Sequence, residues 1–226
     1  MRESKYLRSA EDADMIYVIF LRESNHQRLS PIVGLQQETG GYVRFIHPVY
    51  RGTGTGESRF LCSRHSYDEY VIDPDLDAGS RCNRILDALV GTGTDPDRDY
   101  MMLLTDVPQD REELLQWLRS MIHEISGNEN ESPDIILGKT VCGSTSLDPI
   151  VIESREVIRS PGVYKDLSCS INATAIRLAT LKACGGFSED PKLEGYDMDL
   201  FQRINKIGRN RVRLIQNPIT VPSGTN

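Results

Sequence analysis

Apolar residues fall along the chain in short unbroken runs, separated by segments where they recur every three or four positions. Residues 15–21, Met-Ile-Tyr-Val-Ile-Phe-Leu, are a continuous apolar run flanked by charges, as a strand buried on both faces requires. Apolar positions at 29, 32, 33 and 35 predict a short helix stopped by Gly40-Gly41. Strands follow over 42–46 and 68–72, then a helix over 79–90 closed by Gly91. Residues 100–104, Tyr-Met-Met-Leu-Leu, form the clearest buried strand after the first. The next helix opens with Asp110 as cap and Glu113 at capping-box spacing. It carries Leu114, Leu115, Leu118, Met121, Ile122 and Ile125 on one face, with Trp117 as core or anchor. A strand over 134–138 completes the rhythm of the first 140 residues, β-α-β-β-α-β-α-β.

That rhythm predicts an α/β fold, an open and mostly parallel Rossmann-like sheet flanked by helices. Residues 150–163 read as a hairpin or extended excursion, followed by a helix near 199–207 stopped by Gly208 and a strand over 211–215. There is no low-complexity linker and no second periodic unit, so a single domain over 1–226 is expected, with 1–14 a polar arm that can be disordered. Ligands of such sheets bind outside the carboxyl ends of the strands. The positions to inspect are therefore 22–24, His47-Pro48, Asp73 to Asp77 and 105–107.

Composition narrows the classes. A hydrophobic share of 38% and a charged share of 26% over 226 residues suit an ordinary globular domain. With 26 basic against 33 acidic residues the net charge is −7, and no Lys/Arg-rich run appears. Broad phosphate-backbone binding is excluded, so no nucleic-acid partner is expected, whereas a small anion pocket is compatible. The five cysteines, Cys62, Cys82, Cys142, Cys169 and Cys184, contain no C-x-x-C pair and read as buried thiols of a reducing compartment. No apolar run is long enough for a transmembrane span, so the expected location is cytoplasmic, with contact at a membrane surface left open.

The chemistry-bearing positions are few. Gly52-Thr-Gly-Thr-Gly-Glu-Ser58 lacks the lysine of a phosphate loop and reads as a surface loop, and Gly91-Thr-Gly-Thr-Asp95 as a turn. Asp106 ends a strongly apolar strand, where a carboxylate can hold a divalent cation bridging a diphosphate. Arg81, Asn83 and Arg84 lie in the first turns of a helix, where arginine can grip phosphate oxygens. The four histidines show no ligand spacing. Asp197 and Asp199 stand at a helix start after the double glycine 185–186. Helix-start N–H groups keep such carboxylates ionised, as a base taking a proton from a sugar hydroxyl must be.

Taken together, these residues resemble the nucleotide-diphosphosugar glycosyltransferases of the GT-A fold, family 2 type. The resemblance is strong after Asn172, moderate over 68–118 and weak before. Gly79-Ser-Arg-Cys-Asn83 and the run 100–107 look like the family's Gly-x-x-Arg-Asn helix start and the strand carrying its Asp-x-Asp motif. Ile176-Arg177 through Gly185-Gly186-Phe187 to Asp197-Met-Asp199-Leu-Phe-Gln-Arg203 is similar to its later signature, an Arg-containing helix ending in Gly-Gly-Phe and then Glu-Asp-x-Asp-Leu-x-x-Arg.

The resemblance implies an inverting, non-processive transferase moving one sugar from a UDP- or GDP-sugar donor to a carbohydrate or glycoconjugate acceptor. It implies Asp197 as catalytic base, Asp106 as the residue linked to Mn²⁺ or Mg²⁺, and Arg81 and Asn83 beside the donor. Glu194, Asp199 and Arg203 would lie on the acceptor side. Residues 15–140 would hold the nucleotide-sugar and 141–226 the acceptor. The chain departs from the pattern at four places: Leu104 or Thr105 stands at the first Asp-x-Asp carboxylate, His47-Pro48-Val49 replaces an aspartate after strand two, Tyr196 precedes the base, and no histidine follows His123. The Gln-x-x-Arg-Trp signature of processive synthases is absent after Arg203. Two alternatives stay open: a catalytically silent nucleotide-sugar-binding or assembly module, and a sugar-nucleotidyltransferase.

Overall fold

Residues 16–20 have every side chain buried, because strand β1 (Ile16–Phe20) lies in the middle of a sheet with helices on both faces. In the computed structural model, the residues described are 14–21, 28–50, 59–61, 67–91, 93–126, 132–142, 145–147, 152–153, 156–157, 161–164, 167, 171–189 and 196–221. After β1 come a 3₁₀ turn at Ser30–Ile32 and helix α1 (Leu35–Glu38), then β2 (Val43–Tyr50), β3 (Arg59–Leu61) and β4 (Asp68–Ile72). Helix α2 (Ala78–Gly91), β5 (Tyr100–Leu104), α3 (Arg111–Ser126) and β6 (Ile135–Cys142) follow. The rest comprises β7 (Thr145–Leu147), β8 (Ile152–Glu153), β9 (Glu156–Val157), β10 (Gly162–Tyr164), β11 (Thr174–Arg177), α4 (Leu178–Ala183), α5 (Tyr196–Ile207) and β12 (Asn210–Val221).

Among the described residues ten strands share one sheet, in the order β10-β12-β6-β11-β5-β1-β2-β4-β3, with β7 on β6. Strands β5, β1, β2 and β4 are mutually parallel, as are β6 and β12, while β11 runs antiparallel between β5 and β6. The fold is thus α/β with a mixed, largely parallel open sheet. Alternation along β1 builds two cores. Tyr17 and Ile19 join Leu86 of α2 and Phe201 of α5 on one face. Ile16, Val18 and Phe20 join Leu35 of α1 and Trp117 of α3 on the other.

Three strands run past their expected ends, for one reason each. Strand β2 continues through His47-Pro48-Val49 to Tyr50, so these residues lie inside a strand and not after it. Only Val43 to Ile46 pair with β1, so the N–H that Pro48 lacks falls where β2 bonds to β4 alone. Strand β12 continues past Ile215 because a register break between Leu214 and Pro218 absorbs the proline. Strand β6 continues past Gly138, which ends nothing: a Cβ there would stand 2.5 Å from the Trp117 ring and 2.6 Å from the Ala173 carbonyl oxygen. Glycine allows α3 and the Ala173 backbone to pack against the strand.

The Gly52–Ser58 stretch read as a surface loop lies outside the described residues, and directly after it β3 pairs antiparallel with β4. Thr174–Arg177 is a strand, and the helix begins only at Leu178, so Arg177 does not lie on the helix that ends at the double glycine. It stands at the opposite pole from the strand carboxyl ends, bonded to the Ser132 and Pro133 carbonyls at 2.5 and 2.7 Å. Trp117 is fully buried, and Cys82 and Cys184 are buried cysteines. Among the described residues no helix is long and apolar enough to cross a membrane.

Candidate functional site

The chain leaves β1 toward β2 on one side and β5 toward β6 on the other, so the sheet's connections diverge between β1 and β5. Open α/β sheets present a crevice at such a point, outside the strand carboxyl ends. Asp106 lies two residues beyond β5 at this position, with only 4% of its surface exposed. Its Oδ1 accepts the Val107 N–H at 2.8 Å, and its Oδ2 faces the Arg28 guanidinium at 3.5 Å. Arg28 comes eight residues after the end of β1, and its side chain is 54% exposed. A carboxylate and a guanidinium thus meet across the ends of two adjacent strands.

The turn bearing Asp106 is held from a distant segment. Asn172 Oδ1 accepts the Thr105 N–H at 3.0 Å, and the Ala173 N–H donates to the Leu103 carbonyl at 2.9 Å. Ala173 takes φ 59°, a left-handed conformation that costs a residue with a Cβ. These bonds set the path of the chain directly after β5.

The crest continues across β1 to β2 and α2. The Leu21 N–H donates to the Leu104 carbonyl at 2.8 Å, and the Tyr50 hydroxyl donates to the Leu21 carbonyl at 2.9 Å. The Arg81 guanidinium lies over the Tyr50 ring, 4.8 Å from its centre. Arg81 also donates to the carbonyls of Leu76 and Pro74 at 2.6 and 2.9 Å, so the loop after β4 holds it in place. Two guanidinium groups therefore flank the ends of β5, β1 and β2. Arg84 is exposed one turn along, its carbonyl accepting the Tyr70 hydroxyl.

The acidic run after β4 has local tasks. Asp73 Oδ1 accepts the Asp75 N–H, an Asx turn. Asp77 caps α2, taking the Ser80 N–H at 2.8 Å and the Ser80 hydroxyl at 2.6 Å, and these bonds pull its carboxyl below the usual range. Asp68, at the start of β4, is pushed the other way: burial raises it, and the charge of Arg44 only partly compensates. Asp110 caps α3 through the Glu113 N–H, but Glu113 does not complete a capping box and instead accepts from Thr220 of β12.

Asn83 and Arg203 converge on one turn. Asn83 exchanges bonds with the Phe187 backbone and donates to Glu189 at 2.9 Å, so both N–H donors of its amide are engaged within the chain. Arg203 pairs with Asp199 at 2.9 Å and donates to the carbonyls of Cys184 and Gly186 at 2.6 and 2.5 Å. Gly186 has φ 74°, and a Cβ there would meet Asn83 Oδ1 at 2.4 Å. Through this turn α2 and α5 are bound to the end of α4. Burial raises the Cys184 thiol above its ordinary value. Asp197 lies in the first turn of α5, but its side chain, like the whole of Glu194, falls outside the described residues.

Among the described residues no three His, Cys, Asp or Glu side chains come together to hold a metal. Magnesium needs near-octahedral oxygen ligation and is commonly held by one or two carboxylates plus substrate phosphates. Such an ion at Asp106 would have to share the carboxylate with Arg28. The donor set around Asp106 does not fit the ion on its own.

Sequence reading passed over Arg28, Asn172 and Tyr50. Arg28 stands only four residues beyond the stretch inspected after the first strand, and an arginine so close to it was the available signal. Tyr50 was hidden by the early end assigned to its strand, and Asn172 by its bond to a residue 67 positions away. A shallow groove of about 390 Å³ between α3 and β12, lined in part by Arg119, His123 and Leu214, shares no residue with the crest. No protein-family model matches the chain, and no curated protein matches it.

Proposed function

We propose that this chain is a glycosyltransferase that moves one sugar from a nucleotide diphosphosugar, a UDP- or GDP-sugar, to an acceptor hydroxyl. What carries the reading is the meeting of Arg28 and Asp106 where the sheet's connections diverge, with Arg81 further along the same crest. Two guanidinium groups at strand carboxyl ends suit an anion carrying two phosphates. The GT-A type of sheet, the cytoplasmic location and the carbohydrate or glycoconjugate acceptor belong to this proposal.

In the proposed step the acceptor oxygen attacks the anomeric carbon as the bond to the diphosphate breaks with its electron pair on the phosphate oxygen. Attack from the opposite face inverts configuration. Asp197 takes the acceptor's proton from the first turn of α5, where helix-end N–H groups favour its ionised form. Asp199 and Arg203 tie α5 to the turn after α4, and so hold that first turn in place. Glu194 lies on the acceptor side in this reading. The Mn²⁺ or Mg²⁺ implied by the resemblance is given no step, because the donors around Asp106 do not fit it alone.

Titration of the chain with UDP- and GDP-sugars, followed by assay for donor hydrolysis and transfer, tests the proposal. A rise in melting temperature with one donor class, together with slow donor hydrolysis, is the expected result. Binding without hydrolysis or transfer to any acceptor would favour a silent nucleotide-sugar-binding module. Release of pyrophosphate from a nucleoside triphosphate and a sugar phosphate would favour a nucleotidyltransferase. Failure to bind any nucleotide diphosphosugar would overturn the reading.

A further inference from the structure

We propose that Asn83 is a positioning residue for Asp197, setting from α2 where the first turn of α5 stands, and not a residue that binds the donor. This inference rests on the function proposed above and names how that same site aligns its base. The amide of Asn83 is committed within the chain. Its oxygen accepts the Phe187 N–H at 2.7 Å, and its nitrogen donates to the Phe187 carbonyl and the Glu189 carboxylate, each at 2.9 Å. A phosphate takes donated hydrogens, and the amide nitrogen is the only donor this side chain has. Beside it a phosphate would also meet Glu189, like charge against like.

The turn that Asn83 grips also receives α5. Arg203 donates to the carbonyls of Cys184 and Gly186 and pairs with Asp199 in the first turn of its own helix. Residues 184–187 are thus held from two helices far apart in sequence. The fit has no slack, since a Cβ at Gly186 would meet Asn83 Oδ1 at 2.4 Å. Further along α5, Asn205 accepts the Leu167 N–H at 2.9 Å and donates to the Leu167 carbonyl at 2.7 Å. With its later half pinned there, the direction of α5 is set by the turn at 184–187. A helix moves as a rod, and Asp197 lies six residues, about 9 Å along the axis, before Arg203. Helix α2 carries Arg81 on the crest two residues before Asn83. One rigid path therefore joins the donor side to the base, and misplacing a reacting group by about 1 Å can cost about 10²-fold in rate.

Calorimetric titration of the full chain with UDP and GDP, and initial rates with the donor sugar that binds, test the assignment. Asn83→Ala, assayed below its melting transition, should lower kcat about tenfold or more while nucleotide affinity holds within about twofold. The double variant Asn83→Ala with Asp197→Asn should be no more than about twofold slower than Asp197→Asn alone, because alignment of the base has no effect once the base is gone. A role in general stability alone would leave kcat of the folded variant unchanged. Where Asn83→Ala does not fold, Asn83→Asp makes the same comparison, keeping the acceptor for the Phe187 N–H and losing the donor. An unchanged kcat, additive losses in the double variant, or a tenfold loss of nucleotide affinity would overturn the inference while leaving the proposed function standing. If no nucleotide diphosphosugar binds or is turned over, both fall together.

Discussion

Asn83 and Phe187, 104 positions apart, exchange two hydrogen bonds: the Phe187 N–H donates to Oδ1 at 2.7 Å, and Nδ2 donates to the Phe187 carbonyl at 2.9 Å. A side-chain amide here acts as a short strand would, pairing both polar groups of one distant backbone residue. Phe187 itself is buried against the core that α2 and α5 share, so its backbone groups would otherwise lack water as a partner. Asn83→Ala is expected to lower unfolding free energy by about 2 kcal/mol. Urea denaturation of the two chains measures it, and equal midpoints would show that the pairing adds nothing.

Arg203 makes the matching connection from α5. Replacing it by Met leaves Asp199 and the carbonyls of Cys184 and Gly186 without their donor. A loss of about 2–3 kcal/mol is expected, and Arg203→Lys should restore only part, because an ammonium cannot reproduce the planar fork. The test is whether the lysine variant unfolds between the other two.

Gly138→Ala should destabilise by about 1–3 kcal/mol, since the added methyl group would be driven into Trp117 and the Ala173 carbonyl. Thermal unfolding reads this directly, and an unchanged melting temperature would mean that α3 can yield at no cost.

Two carboxylates predict opposite pH behaviour. Asp77 is lowered from 3.8 by the Ser80 bonds, so its stabilisation is present above that value and is lost as pH falls through the lower folded value. Asp77→Ala should cost about 1 kcal/mol at neutral pH and nothing in strong acid. Asp68 is raised from 3.8 by burial, so its charged form works against folding at neutral pH. Asp68→Asn should therefore raise the melting temperature at neutral pH, with the gain fading as pH falls from the raised folded value toward 3.8 and gone below it, where the carboxyl is protonated in both states. Melting curves from about pH 1.5 to 7 check both signs.

Asp197→Asn should reduce transfer by about 10²–10⁴-fold while leaving donor affinity unchanged, if Asp197 is the base. Initial rates with the donor identified by titration give the answer, and full turnover in the variant would move the role elsewhere.

The strands at the centre of the sheet were legible because a strand buried on both faces must be a continuous apolar run. Residues 16–20 and 100–104 are such runs, and they became β1 and β5. The amphipathic spacing of 114–125 likewise described α3, and Asp106 lies just past β5, as the apolar run before it implied. Strand ends were less legible where Pro48, Gly138 and Pro218 looked like stops. Each is tolerated by something non-local: a missing neighbour, a tryptophan ring, a register break.

Hydrophobic periodicity, a property of neighbouring residues, was thus enough to determine the α/β class, the central strands and the position of Asp106. The partners of the polar groups were decided only in three dimensions. Arg28 faces Asp106, Asn172 holds Thr105, and Asn83 and Arg203 meet at Gly186. Hydrogen bonds and ion pairs act over a few ångströms of space whatever the separation along the chain, so spacing in the sequence carries no record of which groups they join.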